Sequence, residues 1–231
     1  MNSCNKIVDI IGRRLEDILD LRGQMEQKED GSFVSEGDLL VQTIVFDYVR
    51  NELPEYKLIS EEMAPFEDED WDINGSYVVL DPIDGTENFI SGLREWGVGI
   101  SIYTLGVHQQ SCIYLPELNE VQITGMPLHK YKSRIIGLSS SLTKYDMSTL
   151  PAGDFEYRII GCSMYNTLSA VRGAFYMFEN VKGVNCWDIL PGLNLALEHN
   201  CIVTVDNEPY DGRILFPVKK YKISISNDLK L

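Results

Sequence analysis

The chain has no apolar run near the roughly 18 residues that a bilayer-crossing helix needs, so an ordinary membrane span is not expected. Its first residues lack the apolar core and cleavage site of a secretory signal, and a cytoplasmic protein is expected. The five cysteines, at positions 4, 112, 162, 186 and 201, are odd in number and include no CxxC pair. Neither a disulfide framework nor a thiolate zinc site is indicated, and reduced, buried thiols are expected. Basic residues are scarce: 20 Lys and Arg stand against 35 Asp and Glu, a net charge of −15. That balance excludes nucleic acid and anionic membrane as expected partners. It leaves a phosphate ester open as substrate, because a bound cation can supply positive charge locally. The three histidines, 108, 129 and 199, have no metal-ligand spacing and read as surface residues. Internal repeats and low-complexity tracts are absent.

What the chain does have is enough length, 231 residues, for one large or two closely joined α/β domains with a real core. Helical periodicity runs through residues 7–21 and 39–53, with Ser35 or Asp38 as the N-cap of the second helix. The polar segment between them predicts a loop or an exposed hairpin. Strands are expected at 57–60, 78–80, 98–104, 112–115, 120–124, 134–137, 157–161, 174–178, 201–205 and 222–226. Further helices are expected at 142–147, 163–173 and from Trp187 to about 200, with 181–186 a loop. Strands and helices alternate without a strict βαβ rhythm, which points to a layered α/β (α+β) sandwich rather than a doubly wound sheet.

The organising stretch is SYVVLDPIDGTENF, residues 76–89. Val78, Val79 and Leu80 read as a buried strand that ends in two carboxylates, Asp81 and Asp84, with Pro82 between them. Proline fixes its own φ and restricts the residue before it, so the strand is expected to stop at Asp81. Gly85 and Thr86 suit a tight turn into a helix start. Carboxylates at a strand end beside a helix N-terminus can hold a divalent cation next to an anion site. A second acidic strand end, Glu61-Glu62, follows the strand at 57–60, and adjacent strands would bring Glu61 beside Asp81.

DPIDGTENF resembles the signature DPIDGTTNF of the inositol monophosphatase family of metal-dependent phosphatases. Three other landmarks agree in order: Asp38 after the stretch Val34-Ser35-Glu36-Gly37, Glu61-Glu62 twenty residues before the signature, and Trp187-Asp188 opening a late helix. The resemblance implies a single domain over 1–231, an α-β-α-β-α sandwich of the inositol monophosphatase/fructose-1,6-bisphosphatase type. Within it, the metal-bearing part would be roughly 1–130 and the substrate side roughly 131–231. It implies a Mg²⁺-dependent phosphomonoesterase for a small polyol or sugar phosphate, using two or three Mg²⁺ and working as a possible homodimer. Glu61, Asp81 and the main-chain carbonyl of Ile83 would hold one ion, and Asp81, Asp84 and Asp188 another.

The same resemblance gives Asp38 and Thr86 the role of orienting the attacking water, and the N–H groups of Gly85 and Thr86 that of binding phosphate. Asp38 and Asp188 each have a competing local role as helix caps. Glu62 reads as an outer or solvated carboxylate, and Lys28 as a solvated lysine on a polar segment, the alternative being a match to a loop lysine near the third-metal region of the family. Ser163, within the segment 161–170, and Glu179 fall where the family contacts its sugar or inositol. Glu87 departs from the signature, and Glu179 precedes Asp188 by more residues than inositol-specific members lead one to expect. The glycine-rich hairpin is trimmed between Gly125 and Ser133, as is the C-terminus. A 3′(2′),5′-bisphosphate nucleotidase or a fructose-1,6-bisphosphatase-like enzyme is the nearest alternative. A regulatory binding module with vestigial activity is the alternative of another class.

Overall fold

Alternation of side chains along one central strand divides the interior into two cores. The computed structural model describes residues 2–29, 31–63, 71–150 and 153–227. Strand β4 (Tyr77–Asp84) is buried along its whole length. It belongs to a five-stranded sheet with β3 (Lys57–Ser60), β5 (Gly97–Thr104), β6 (Val107–Leu115) and β7 (Glu120–Ile123), in the order β3-β4-β5-β6-β7. β3 runs parallel to β4, and the other pairs are antiparallel. Val78 and Leu80 enter one core while Tyr77 and Val79 enter the other, the two-residue period of a strand buried on both faces.

The first core lies between this sheet and three helices, α1 (Ser3–Arg13), α2 (Leu15–Asp20) and α3 (Glu36–Glu52). Ile7, Ile11 and Ile18 meet Val41, Val45 and Val49 over Val98, Ile100 and Ile102. The single helix expected over 7–21 is broken at Arg14, which leaves the helical region at φ −107° and ψ 10°. A hairpin of β1 (Met25–Gln27) and β2 (Phe33–Ser35) joins α2 to α3, as the polar composition predicts. Ser35 caps α3: its hydroxyl accepts from the Asp38 N–H, and the Asp38 carboxylate accepts in return from the Ser35 N–H.

The second core sits between the first sheet and a six-stranded one. The second sheet contains β8 (Ile135–Leu138), β9 (Glu156–Ile159), β10 (Met177–Val184), β11 (Ile202–Val205), β12 (Glu208–Pro209) and β13 (Tyr221–Ser226), in the order β12-β11-β13-β10-β8-β9. Helices α6 (Ser163–Val171) and α7 (Cys186–Glu198) fill the space between the sheets, burying Met164, Leu168, Ile189, Leu190 and Leu193 against Phe178, Val203 and Ile225. The layers are thus helix, sheet, helix, sheet. The described residues supply little beyond them: α5 (Lys144–Ser148) buries no side chain and is tied to β10 by the Lys182–Asp146 ion pair.

Two expectations about strands are overturned. Residues 181–186 are not simply a loop, because β10 continues to Val184 across a register break after Asn180. Asn180 Oδ1 accepts from the N–H groups of Lys182 and Gly183, a local turn inside the strand that its polar sequence concealed. β4 likewise does not stop at Asp81 but runs through Pro82 to Asp84. The acidic run at 67–72 falls largely outside the described residues, as do Asp30 and the last four residues. Among the described residues no helix is long and apolar enough to cross a membrane.

Candidate metal centre and active site

The continuation of β4 decides where its carboxylates point. Residues three apart in a regular strand face opposite sides of the sheet. Here Asp81 pairs with Gly99 and Asp84 with Gly97, so three steps along β4 match two along β5. The extra residue is a bulge around Pro82, which has no N–H to lose from the ladder. It turns Asp81 and Asp84 toward the same side. Opposite them, β5 carries glycines for a packing reason. A Cβ at Gly99 would lie 2.0 Å from Met164 Cε and 3.2 Å from Pro191 Cγ. Glycine therefore lets Met164, in the first turn of α6, and Pro191, in the second turn of α7, pack onto β5 opposite the β4 carboxylates.

Three of the expected ligands converge. Oxygens of Glu61, at the end of β3, Asp81, in β4, and Asp188, in the first turn of α7, all lie within 4.8 Å of one another. Both Asp81 oxygens are buried and take no hydrogen bond from a backbone, neutral or cationic donor; the neighbour within hydrogen-bond reach is another carboxyl, that of Asp188. A buried carboxylate without donors is costly unless a cation meets it. Burial, followed by repulsion from Glu61 and Asp84, pushes Asp81 well above the usual carboxylate range, and burial does the same to Asp188. The hard, oxygen-only donor set fits Mg²⁺.

Asp84 lies beside this group but faces a different partner. Its Oδ2 accepts from the Cys162 thiol at 3.0 Å and from the Met164 N–H at the start of α6, with the Ser163 N–H adding to the hold. Burial still dominates and pushes Asp84 up to about 7. Asp188, besides its place in the acidic group, caps α7: its Oδ2 accepts from the Asn185 N–H at 3.0 Å.

Asp38 is similarly double. Its Oδ2 accepts from the Ser35 N–H at 2.9 Å and the Ser35 hydroxyl at 2.5 Å, while Oδ1 lies 3.3 Å from Thr86 Oγ1. The Thr86 hydroxyl has a second acceptor, the Ile83 carbonyl at 3.0 Å. Burial first, opposed by the Ser35 hydrogen bonds, pushes the Asp38 carboxyl up to about 6. Gly85 precedes the short helix α4 (Thr86–Ile90) at φ +82°, a left-handed conformation that glycine adopts without penalty. Phe89 and Asn88 anchor that helix: Phe89 is buried against Trp96, and the Asn88 amide donates to the Glu95 and Ile160 carbonyls.

Lys28 is not the solvated lysine expected from its polar segment. The β1–β2 hairpin folds it over the end of β3, where Nζ sits 3.2 Å from Glu61 Oε1 and 2.7 Å from Glu62 Oε1. Burial opposes its charge, but the two carboxylates more than offset that and hold the ammonium above its usual range. Glu62 is the better buried partner, and burial pushes it up to about 7. Cys162 and the first N–H groups of α6 were missed, because in sequence Gly161-Cys162-Ser163 is only a strand-to-helix junction. Ser163 opens α6 beside Asp84, whereas Glu179 sits on β10 opposite Leu138 and Ser224, outside the hydrogen-bonded set around Asp84.

His129 is exposed, but His108 and His199 are half-buried, and His108 Nε2 bonds the Ser111 hydroxyl at 2.8 Å. All five cysteines are free and buried, as expected. A cavity of about 580 Å³ near the other end of α7 is lined by His108, Asn194 and Arg213, and contains none of the expected site residues. Its floor is already satisfied, since the Asn194 amide donates to Tyr103 and Ser111.

The model of the inositol monophosphatase family matches residues 2–227. The chain belongs to that family. Solved members share its fold at low identity. An IMPase from Thermotoga maritima superposes with a TM-score of 0.77 at 19% identity, covering 98% of this chain and 92% of that one. Staphylococcal inositol monophosphatase-1 gives 0.80 at 20%, covering 97% and 88%. An IMPase/NADP phosphatase complexed with Mg²⁺ and phosphate gives 0.76 at 21%, covering 98% and 92%. Among curated relatives, Nus factor SuhB of Vibrio cholerae is 24% identical over 202 residues, 78% of this chain and 74% of that protein. Its Escherichia coli namesake is 32% identical over 98 residues, 42% of this chain and 36% of that protein.

Proposed function

We propose that the protein is a Mg²⁺-dependent phosphomonoesterase acting on a small polyol or sugar phosphate. The observation that carries this reading is Asp81, fully buried, grouped with Glu61 and Asp188, and offered no hydrogen-bonding neighbour but the Asp188 carboxyl. Glu61, Asp81 and Asp188 would hold Mg²⁺, with Asp84 and the Ile83 carbonyl completing two sites. The bound cation would supply Lewis acidity and neutralise charge on the phosphate. Thr86 would accept a hydrogen bond from the attacking water while its own proton points to Asp38 Oδ1. Asp38, held up to about 6 by burial, suits a base that works near neutral pH. The Gly85 and Thr86 N–H groups at the head of α4 would take phosphate oxygens.

The substrate class is supported by the family and by what its solved members contain: an IMPase/NADP phosphatase structure holds NADP and Ca²⁺, and a dual specific IMPase/NADP phosphatase structure holds D-inositol-1-phosphate. Phosphate release from inositol 1-phosphate, sugar phosphates, NADP, 3′-phosphoadenosine 5′-phosphate and fructose 1,6-bisphosphate, with and without Mg²⁺, tests the reading. Mg²⁺-dependent release from a monoester supports it, and silence from folded protein across the panel sinks it. A second reading, a regulatory binding module of the same fold, is favoured by the relatives named Nus factor SuhB. Under that reading an Asp84→Asn chain would keep its cellular role and a stable protein partner.

A further inference from the structure

We infer that Cys162 is a positioning residue that fixes Asp84 and the Gly85 turn for metal and phosphate binding; this deepens the function proposed above and rests on it. The thiol is 1% exposed and has two bonds of opposite sense. Its sulfur accepts from the Tyr165 N–H at 3.3 Å, in the N-cap position of α6. Its own proton is the donor to Asp84 Oδ2 at 3.0 Å. Sulfur is a weak acceptor and a poor helix cap beside Ser, Thr, Asp or Asn, so capping alone does not account for the residue.

The same side chain supports the neighbouring turn. A Cβ built on Gly85 would lie 3.0 Å from Cys162 Cβ and 3.4 Å from the Gly161 carbonyl, so the two segments are already in close contact. One residue therefore touches the carboxylate assigned to the second cation and the glycine assigned to phosphate. With Oδ2 held by the thiol and the Met164 N–H, Asp84 has Oδ1 left to offer a cation. Groups that orient a metal's ligands in this way commonly change affinity by about 10–100-fold when removed.

The test compares wild type, Cys162→Ala and Cys162→Ser, titrated with Mg²⁺ alone and followed by calorimetry and by the Mg²⁺-dependent shift in melting temperature. Cys162→Ala is expected to need about 10-fold more Mg²⁺ for half-saturation, and Cys162→Ser, which keeps a donor, to stay within about twofold of wild type. In phosphate-release assays, Cys162→Ala should raise the Mg²⁺ requirement more than it lowers kcat at saturating Mg²⁺. A Cys162→Ala chain with wild-type Mg²⁺ affinity overturns the inference, as does a folded Cys162→Ser chain as weak as the alanine variant. A wild type that binds no Mg²⁺ overturns the proposed function as well; a wild type that binds Mg²⁺ with an indifferent Cys162→Ala overturns only the role of Cys162.

Discussion

Asp38, Asp84 and Asp188 share one arrangement. In each, Oδ2 is tied to groups at a helix N-terminus: Ser35 at the start of α3 for Asp38, Met164 and Cys162 at the start of α6 for Asp84, Asn185 at the start of α7 for Asp188. Asp81 differs, because neither of its oxygens is held by a helix terminus and its hydrogen-bonding neighbour is another carboxyl, that of Asp188. Capping a helix and a place beside the acidic group, which compete on paper, thus occur together in one side chain. Two outcomes follow for Asp81→Asn. Mg²⁺-dependent phosphate release should fall by more than the roughly 10–100-fold typical of changes outside the ligand set. The metal-free variant should melt above the metal-free wild type, because an amide avoids the cost of burying or protonating a carboxyl beside Glu61 and Asp84. Parallel melting curves in a chelator check the second outcome, and a lower melting temperature for the variant would contradict the electrostatic reading. The residue types at these positions were legible in the sequence. The Lys28 ion pairs and the Cys162 thiol were not, since each depends on a chain reversal that brings distant segments together.

Among elements, the bulged strand β4 and the glycines facing it do most to assemble the site. Gly99→Ala should cost about 1 kcal/mol, the low end for overpacking, as the Met164 methyl can swing aside while Pro191 must give, read as a lower denaturation midpoint with an unchanged slope. The same variant should weaken Mg²⁺ binding, since α6 and α7 carry the groups that reach Asp84 and Asp81. Gly85→Ala should cost about 1–2 kcal/mol for its left-handed backbone and raise KM for the phosphate ester. Most elements are readable from periodicity: β3 has the expected ends, and β5 and α3 lie within a few residues of theirs, whereas β6 begins five residues before the strand expected at 112–115. The failures have local causes. Pro82 reads as a stop signal, yet a bulge absorbs its missing donor; Asn180 starts a turn within β10 that looks like a loop. Arg14 breaks a helix whose apolar spacing continues across the break.

At the scale of the whole molecule, an acidic chain concentrates buried carboxylates at one place. Asp38 is pushed up to about 6, Asp84 and Glu62 up to about 7, and Asp81 and Asp188 also upward, all mainly by burial. Unfolded carboxyls titrate near about 4, so between there and about 7 the metal-free folded chain binds more protons than the unfolded one. Its stability should therefore fall as pH rises through that window. Mg²⁺ should restore it, with a larger melting-temperature shift at pH 8 than at pH 5, because binding displaces protons. A metal-free chain that gains stability from pH 5 to pH 8 would contradict this. The central claim, that this carboxylate cluster binds Mg²⁺ to hydrolyse a phosphomonoester, is tested most directly by inorganic phosphate release across the ester panel, comparing wild type with Asp81→Asn, with and without Mg²⁺. The account predicts Mg²⁺-dependent release by wild type and its loss in the variant. Release that survives in Asp81→Asn, or none at all from folded, Mg²⁺-loaded wild type, would contradict it.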